Sequence, residues 1–308
     1  MQKIIECIPN FSEGRDKKKI DKICKAITNV KGILLLNVES DIAHNRSVIT
    51  FAGTPVAVLE AAFQATKTAS RIIDLTRHKG EHPRMGATDV IPLVPISGIT
   101  MKECVRLAQK LGSRIGIELK IPVYLYEKAA KREDRKNLAN IRKGEYEGLK
   151  KEIGKNADRK PDFGPKYLGK AGATAVGARE PLIAYNVNLD TKNIKIAKAI
   201  AKKIREKDGG FKSVKALGFE LKDKGITQVS MNLTNYKITP PHIVFNAIKK
   251  EAKAKNVEII ESEIIGLIPK KALIKGAKHL LKIKKFKNDQ VLENILKKKL
   301  QNFQKPLQ

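Results

Sequence analysis

The chain predicts an α/β (α+β) protein of two subdomains. Each has a β-α-β-β-α-β element order, a mixed sheet and helices on its outer face, with a ligand cleft between the two. Three observations lead there. Short extended runs alternate with amphipathic helical spacing along all 308 residues. The order of these switches in the first half returns in the second. Ala52-Gly53-Thr54-Pro55-Val56, where a proline opens a helix after a strand, has a counterpart in Ile238-Thr239-Pro240-Pro241-His242.

Lys3 to Ile8 reads as a strand, and Asn10 to Gly14 as a turn. Asp16 to Ile27 has helical apolar spacing at Ile20, Ile23, Cys24 and Ile27. Gly32 starts a second strand through Val38, and an acidic turn (Glu39, Ser40, Asp41) leads to a third, Arg46 to Phe51. Pro55 opens an amphipathic helix to Ile73, and a fourth strand runs from Val90 to Ile96. This is the split βαβ order of ferredoxin-like folds. Thr100 to Leu119 adds a helix and Ile121 to Tyr126 a strand.

In the second half, Leu182 to Asn188 is a strand and Asn193 to Lys207 a lysine-rich helix. Val214 to Leu221 and Thr227 to Leu233 are strands separated by a turn at Lys224-Gly225. Pro241 starts a helix to Lys255, and Val257 to Ile265 returns as a strand before Pro269 and a further helix. Residues 1–179 and 180–308 are the expected subdomains. The polar, glycine-rich stretch from Lys131 to Arg179 lies at their junction, where long Gly/Pro loops tend to line ligand clefts.

A chain of this length is long enough for two cores. Its 42% hydrophobic content is globular, and no apolar run nears the ~20 residues that span a bilayer. The start has no apolar targeting region followed by a cleavage site. Three cysteines without Cys-x-x-Cys spacing suggest reduced thiols and a cytoplasmic location. The net charge of +30 suits a nucleic-acid binder, an anionic small-molecule substrate or a lysine-biased surface. With aromatics at only 5% and no RNA- or DNA-binding motif, a lysine-biased surface with a local anionic pocket fits best.

Asp74 to Asp89 concentrates the chemistry. His78 and His82, two of five histidines in the chain, lie there among Arg77, Lys79, Glu81, Arg84 and Asp89. Pro83 biases His82 toward extended backbone, which gives that side chain a defined direction. The Gly-Glu-His-Pro break keeps the two histidines off one helical face, so no metal site is expected. Histidine titrates nearest neutrality, which makes His82 the candidate proton carrier.

The string Arg-His-Lys-Gly-Glu-His-Pro-Arg-Met-Gly-Ala-Thr-Asp resembles the active-site segment of glutamate formimidoyltransferases. Glu6 to Gly14 resembles that family's amino terminus. Further matches are His44-Asn45-Arg46, Pro122 to Tyr126, Gly144-Glu145-Tyr146, Pro161 to Pro165, Ala184 to Leu189 and Gly266 to Pro269. The resemblance covers nearly the whole chain. It implies transfer of a formimino group from N-formimino-L-glutamate to tetrahydrofolate, a co-substrate, giving 5-formiminotetrahydrofolate and L-glutamate in histidine degradation. His82 matches the family's catalytic histidine.

An amidinium electrophile calls for nearby carboxylates. Glu6, Glu39, Asp41 and Glu81 are candidates, with Glu39 and Asp41 assigned to the site. The resemblance places folate binding at Gly164, Pro165, Lys166, Tyr167, Leu168, Gly169, Lys170, Ala171 and Gly172. Arg46 and Arg84 are expected to bind substrate carboxylates by their planar forks, with Arg77 and Lys79 as further candidates, and Asn10 to orient substrate with Asn45, Asn186 and Asn188. A homodimer without the cyclodeaminase domain of longer relatives is also implied. Two alternatives stand beside this reading: a glutamate N-formyltransferase on the same folate site, and a basic nucleic-acid-binding protein.

Overall fold

The computed structural model describes residues 2–42, 44–80, 82–221 and 224–272, and beyond them Gln290, Leu292, Asn294, Ile295, Leu296 and Lys299. The chain divides into two compact units, residues 1–179 and 180–308.

In the first unit the strands are β1 (Ile4–Cys7), β2 (Asn10–Phe11), β3 (Ile33–Asp41), β4 (Arg46–Gly53), β5 (Thr88–Ser97), β6 (Val123–Glu127) and β7 (Thr174–Ala178). They form one sheet. β1 and β2 share a lane between β4 and β5, broken at Ile8-Pro9, where proline has no amide hydrogen to give to a neighbour. With β3 outside β4, this antiparallel part has the ferredoxin-like neighbour order. β7 and β6 then extend the β5 edge in parallel.

Helices α1 (Lys17–Thr28), α2 (Pro55–Ile72) and α3 (Met101–Glu118) cover one face. Each starts where a side chain accepts from an exposed amide: Asp16 for α1, Thr54 ahead of Pro55 for α2, and a reciprocal Thr100–Glu103 box for α3. Their apolar stripes meet Ile5, Phe11, Ile49, Phe51, Ile91 and Leu93 in the larger core. Full burial of one such side chain contributes about 1.5–3 kcal/mol. Two short helices, α4 (Leu138–Ile141) and α5 (Glu145–Glu152), cover part of the opposite face, with a second core of Met85, Val90, Tyr124, Tyr126, Ile141, Leu149 and Ile153.

The rest of that face carries polar groups. Asp41 stands directly opposite Arg46, and Asn10 pairs with both Val48 and Val90, so these side chains share a side of the sheet.

The second unit has strands β8 (Ile183–Leu189), β9 (Val214–Leu221), β10 (Ile226–Leu233) and β11 (Ile259–Ile265). They run in the order β11-β8-β10-β9, every pair antiparallel. Helices α6 (Ile194–Ile204) and α7 (Pro241–Lys253) pack on one face around Tyr185, Val187, Ile200 and Phe245. The mixed α/β content and two-subdomain order are as expected, with parallel pairs confined to the first sheet.

Three local expectations are corrected. Glu39 to Asp41 is not a turn but the end of β3, because the ladder to β4 continues through Arg46. Asn10 and Phe11 form a strand within the expected turn. The stretch from Lys131 to Arg179 is not one long loop. It holds α4, α5 and β7, and β7 is a central strand hidden by its small residues, Thr-Ala-Val-Gly-Ala.

Beyond Pro269 the described chain makes a short helical turn at Lys270–Ala272. Glu81, His279 and the lysine runs at 282–285 and 297–298 lie outside the described residues. Among those described, no helix is long and apolar enough to cross a membrane.

Candidate active site

The loop between α2 and β5 is fixed at both ends. Leu75 is buried and its amide donates to the Lys170 carbonyl at 2.8 Å. The Asp74 carboxylate accepts from the Thr76 amide and hydroxyl, which tightens the turn behind it. At the other end Met85 is fully buried. Its amide donates to Asp89 Oδ1 at 2.8 Å, and Ser12 Oγ donates to the Gly86 carbonyl at 2.8 Å. Gly86 and Gly172 face each other across an isolated bridge. A Cβ on Gly86 would lie 1.9 Å from the Ala173 carbonyl oxygen, so only glycine permits this approach.

Within this frame the two histidines differ. His78 Nε2 lies 2.9 Å from the Asn45 carbonyl and its Nδ1 is 3.3 Å from Arg84 Nε. Because arginine only donates, Nδ1 must accept, which leaves the proton on Nε2 for Asn45. His78 is thus held neutral in one tautomer, and burial lowers its pKa further. Asn45 in turn donates to the Lys79 carbonyl and accepts from the Gly14 amide, which ties loop, β3–β4 turn and amino-terminal segment together.

His82 is half-buried, with its ring edge-on to His44 at 6.2 Å between centroids. His44 leans on Asp41, with Nδ1 3.0 Å from Oδ1. Burial, reinforced by the positive charges of Arg46, Arg142 and His44, pushes the His82 pKa down to about 2, against a hydrogen bond to the Pro83 backbone. Arg46 is itself lowered to about 10, first by burial and then by Arg142, with Asp89, Asp41 and Glu39 acting the other way.

His82 and Arg46 line a pocket with Asn10, Ser12, Asn45 and Asp89. It encloses about 190 Å³ of free space, open solvent at its mouth included.

Of the expected site residues, His82, Arg46, Arg84 and Asn10 line this pocket; Glu39, Asp41 and Gly164 through Gly172 do not. Asn10 spends its amide on the Ile8 carbonyl, a hydrogen bond that shapes the strand break beside it. Arg84 differs from its expected role as a substrate fork. Its Nη1 and Nη2 reach Glu147 at 2.7 and 2.6 Å, Nη1 also reaches Glu145, and Nη2 reaches the His78 carbonyl. It therefore holds the loop against α5.

Asp41 engages His44, and Glu39 acts on Arg46 through its charge. Glu6 is buried on the sheet face away from the helices, outside the pocket lining. Arg77 and Lys79 are exposed, and Asn186 and Asn188 belong to β8 of the second unit. The expected folate loop is partly exposed, Tyr167 at 64% and Lys170 at 79% of its side chain, while the Ala171 carbonyl accepts from the Ala87 amide and Ala173, just past the loop, donates to the Met85 carbonyl.

Sequence reasoning missed Arg142, Glu145 and Glu147. Arg142 caps α4 and pairs with the buried Asp89. The only signal for this group was Gly144-Glu145-Tyr146 within the family-like strings.

With that geometry in view, comparison with known proteins is decisive. Residues 4–179 match the model of the formiminotransferase domain, N-terminal subdomain, and residues 184–301 that of the formiminotransferase domain. The chain belongs to the formiminotransferase family. A glutamate formimidoyltransferase from Thermoplasma acidophilum is 52% identical over 96% of this chain and 98% of its own length. One from Streptococcus pyogenes is 50% identical over 96% and 99%. The formimidoyltransferase-cyclodeaminase of Mus musculus is 44% identical over 90% of this chain, which spans 52% of that longer protein. Among the described residues no group of three or more His, Cys, Asp or Glu is placed to hold a metal ion.

Proposed function

We propose that the protein is a glutamate formimidoyltransferase, moving the formimino group of N-formimino-L-glutamate to tetrahydrofolate. The observation that carries this is end-to-end identity of 50% or more to two proteins of that name, in a chain whose histidine loop forms a small polar pocket. His82 takes the proton from the attacking nitrogen and returns it to the departing glutamate nitrogen. Its surroundings favour the second of these steps. The neutral imidazole is the resting form, and once protonated among cationic neighbours it is a strong acid toward the leaving amine. Arg46 serves the glutamate carboxylates, and Glu39 and Asp41 act from the edge of the site on the positive charge there.

Gly164 to Gly172 are assigned to folate. An exposed tyrosine with Lys166 and Lys170 suits a flat heterocycle and its glutamyl carboxylates. The contact between Gly86 and Gly172 would join that loop to the proton carrier. We place the enzyme in the cytoplasm as a homodimer, on family resemblance and on cysteines that are all unpaired. The test is a spectroscopic turnover assay with tetrahydrofolate and either N-formimino-L-glutamate or N-formyl-L-glutamate. The reading expects faster turnover with the formimino donor. Turnover with the formyl donor alone would reassign the activity, and turnover with neither would overturn it.

A further inference from the structure

Three histidines line the pocket: His44, His78 and His82. His78 has both ring nitrogens engaged, one with the Asn45 carbonyl and one with Arg84, so it has no lone pair to offer a substrate. His44 is different. It sits in the turn between β3 and β4, where Asp41 Oδ1 accepts from its backbone amide at 2.7 Å and lies 3.0 Å from its ring Nδ1. A carboxylate only accepts, so the ring proton rests on Nδ1 and Nε2 carries the lone pair. The next residue, Asn45, has φ +47° and is bonded to the Lys79 carbonyl, the Gly14 amide and His78, which holds the turn in one shape. Beyond His44, the His82 ring stands edge-on at 6.2 Å between centroids.

We infer that His44, aimed by Asp41, is the base that receives the proton of the attacking nitrogen, and that the proton reaches His82 through it. The inference rests on the proposed reaction and deepens it. The N5 lone pair of tetrahydrofolate forms a bond to the formimino carbon, and the π pair of the C=N bond moves onto the imino nitrogen. N5 now carries a surplus proton. It passes to His44 Nε2, and the Asp41 carboxylate balances the imidazolium. One water spans the gap between the two rings, and across it the proton moves to His82 and on to the glutamate nitrogen. The bond from that nitrogen to carbon then breaks, its electron pair leaving on glutamate, and the imino lone pair restores C=N. Both imidazoles end neutral, and one proton has travelled from N5 to glutamate.

The order of the two rings follows from their neighbours. His44 has a carboxylate at its ring, whereas the charges of Arg46 and Arg142 oppose a proton on His82. His82 is therefore a poor first acceptor and a good last donor. Its imidazolium exists only in passing, because the departing amine is the stronger base and draws the proton forward. His44 is a catalytic residue in this path, and Asp41 is a positioning residue that sets its tautomer.

The tautomer is read without turnover. In protein labelled with nitrogen-15 histidine at pH 8, long-range proton–nitrogen correlation should show His44 with Nδ1 protonated and Nε2 bare, its signal assigned by its loss in His44→Asn. Asp41→Asn should bring in the other tautomer. A parent protein with the proton on Nε2 would overturn the inference, since that nitrogen could then accept nothing. Kinetics supply the second arm. His44→Asn keeps a donor for Asp41 near the position of Nδ1 and loses Nε2, so a residue that only braces the turn would tolerate the change. With tetrahydrofolate and N-formimino-L-glutamate, its kcat should fall on the order of 10²-fold, with both KM values within about threefold. Asp41→Asn should cost at most about fivefold in kcat, because a half-exposed pair is partly screened. Near-normal kcat in folded His44→Asn, or a loss confined to KM, would remove His44 from the proton path and leave the reaction standing. A parent that turns over neither donor would overturn the reaction, and the path with it.

Discussion

The two units share an element order and a strand-neighbour order, yet among the described residues only the first holds the histidine pocket. Its sheet continues past β5 into β7 and β6, and the segment between those two strands folds into α4 and α5. That addition supplies Arg142, Glu145 and Glu147, and it brings Gly172 against Gly86. In the second unit, β8 occupies the position of β1 and turns Asn186 and Asn188 outward where the first unit turns Glu6. Gln228 donates to Asn188 Oδ1 at 2.9 Å, and Asn188 donates to Glu261, so amides on the equivalent face lie beside the carboxylates of Glu261 and Glu263. One ferredoxin-like frame brings histidines and arginines together, the other sets amides beside carboxylates. The frame sets where side chains point, and the added segment decides what chemistry they meet.

The sharpest way to test this asymmetry is to remove the proton carrier. His82→Ala should lower kcat by a factor on the order of 10² to 10⁴, the usual cost of losing a general acid/base. Binding of folate should change little. The second unit offers His242, on α7, as the control; His242→Ala should leave kcat within about threefold, as expected of a residue outside the chemistry. Comparable losses in both variants would place the chemistry elsewhere.

Glu6 gives the next largest effect. Burial, opposed by Arg179, raises its pKa from 4.5 to about 7 in the folded protein. Between those values the unfolded chain holds fewer protons than the native state, so stability falls as pH rises through this window and levels off above it. The gap corresponds to roughly 3 kcal/mol. Glu6→Gln should abolish that loss, read as the difference in urea midpoints between pH 4.5 and 8. Asn188→Asp would place a carboxyl on the corresponding face of the second unit and should create a pH dependence of the same sign. Identical pH profiles for Glu6→Gln and the parent would show that Glu6 is solvated in solution.

Much of this frame was legible in the sequence, because periodicity and Pro or Gly punctuation mark β1, β4, α2, β5 and, in the second unit, β8 to β11 with α6 and α7. His82 stood out through Pro83, and the family-like strings pointed to its loop. What stayed hidden has a physical reason in each case. β7 carries small residues that fit between two strands without an apolar alternation, so Thr174–Ala178 read as loop. Arg84 resembles any substrate-facing arginine until Glu147 is found against it, a contact 63 residues away in sequence. Arg142 falls in a lysine- and arginine-rich stretch, where nothing local separates a buried cation from a solvated one.

Gly172→Ala compares the units in backbone terms. Gly172 has φ +68°, and a Cβ there would lie 2.2 Å from the Met85 carbonyl oxygen. Left-handed strain and overlap together should cost roughly 3 kcal/mol and loosen the His82 loop. Gly209 of the second unit has φ +89° with nothing within 4 Å of its Cβ position, so Gly209→Ala should cost only about 1 kcal/mol. Chemical denaturation of both variants gives the comparison. Equal destabilisation would mean that the Gly86–Gly172 approach relaxes without strain.

The smallest expected effect concerns the net charge of +30. If that charge serves catalysis as a whole, lysines far from the pocket should matter; if only the pocket arginine Arg46 matters, they should not. Lys195, Lys198 and Lys202 are exposed along α6 of the second unit. Converting all three to glutamine should change kcat/KM by about twofold at most, because exposed charges are screened over ~8 Å at physiological salt. Arg46→Gln should instead raise KM for the donor by on the order of 10- to 100-fold, the loss of a charged hydrogen bond of about 1.5–3 kcal/mol. Repeating both across a salt series separates steering from contact. A long-range field loses its influence as salt rises, whereas a half-buried arginine on a carboxylate keeps most of its own. A large, salt-sensitive loss from the α6 variant would show that the whole basic surface gathers substrate. A flat response there beside a salt-resistant loss at Arg46 would confine the useful charge to the first unit.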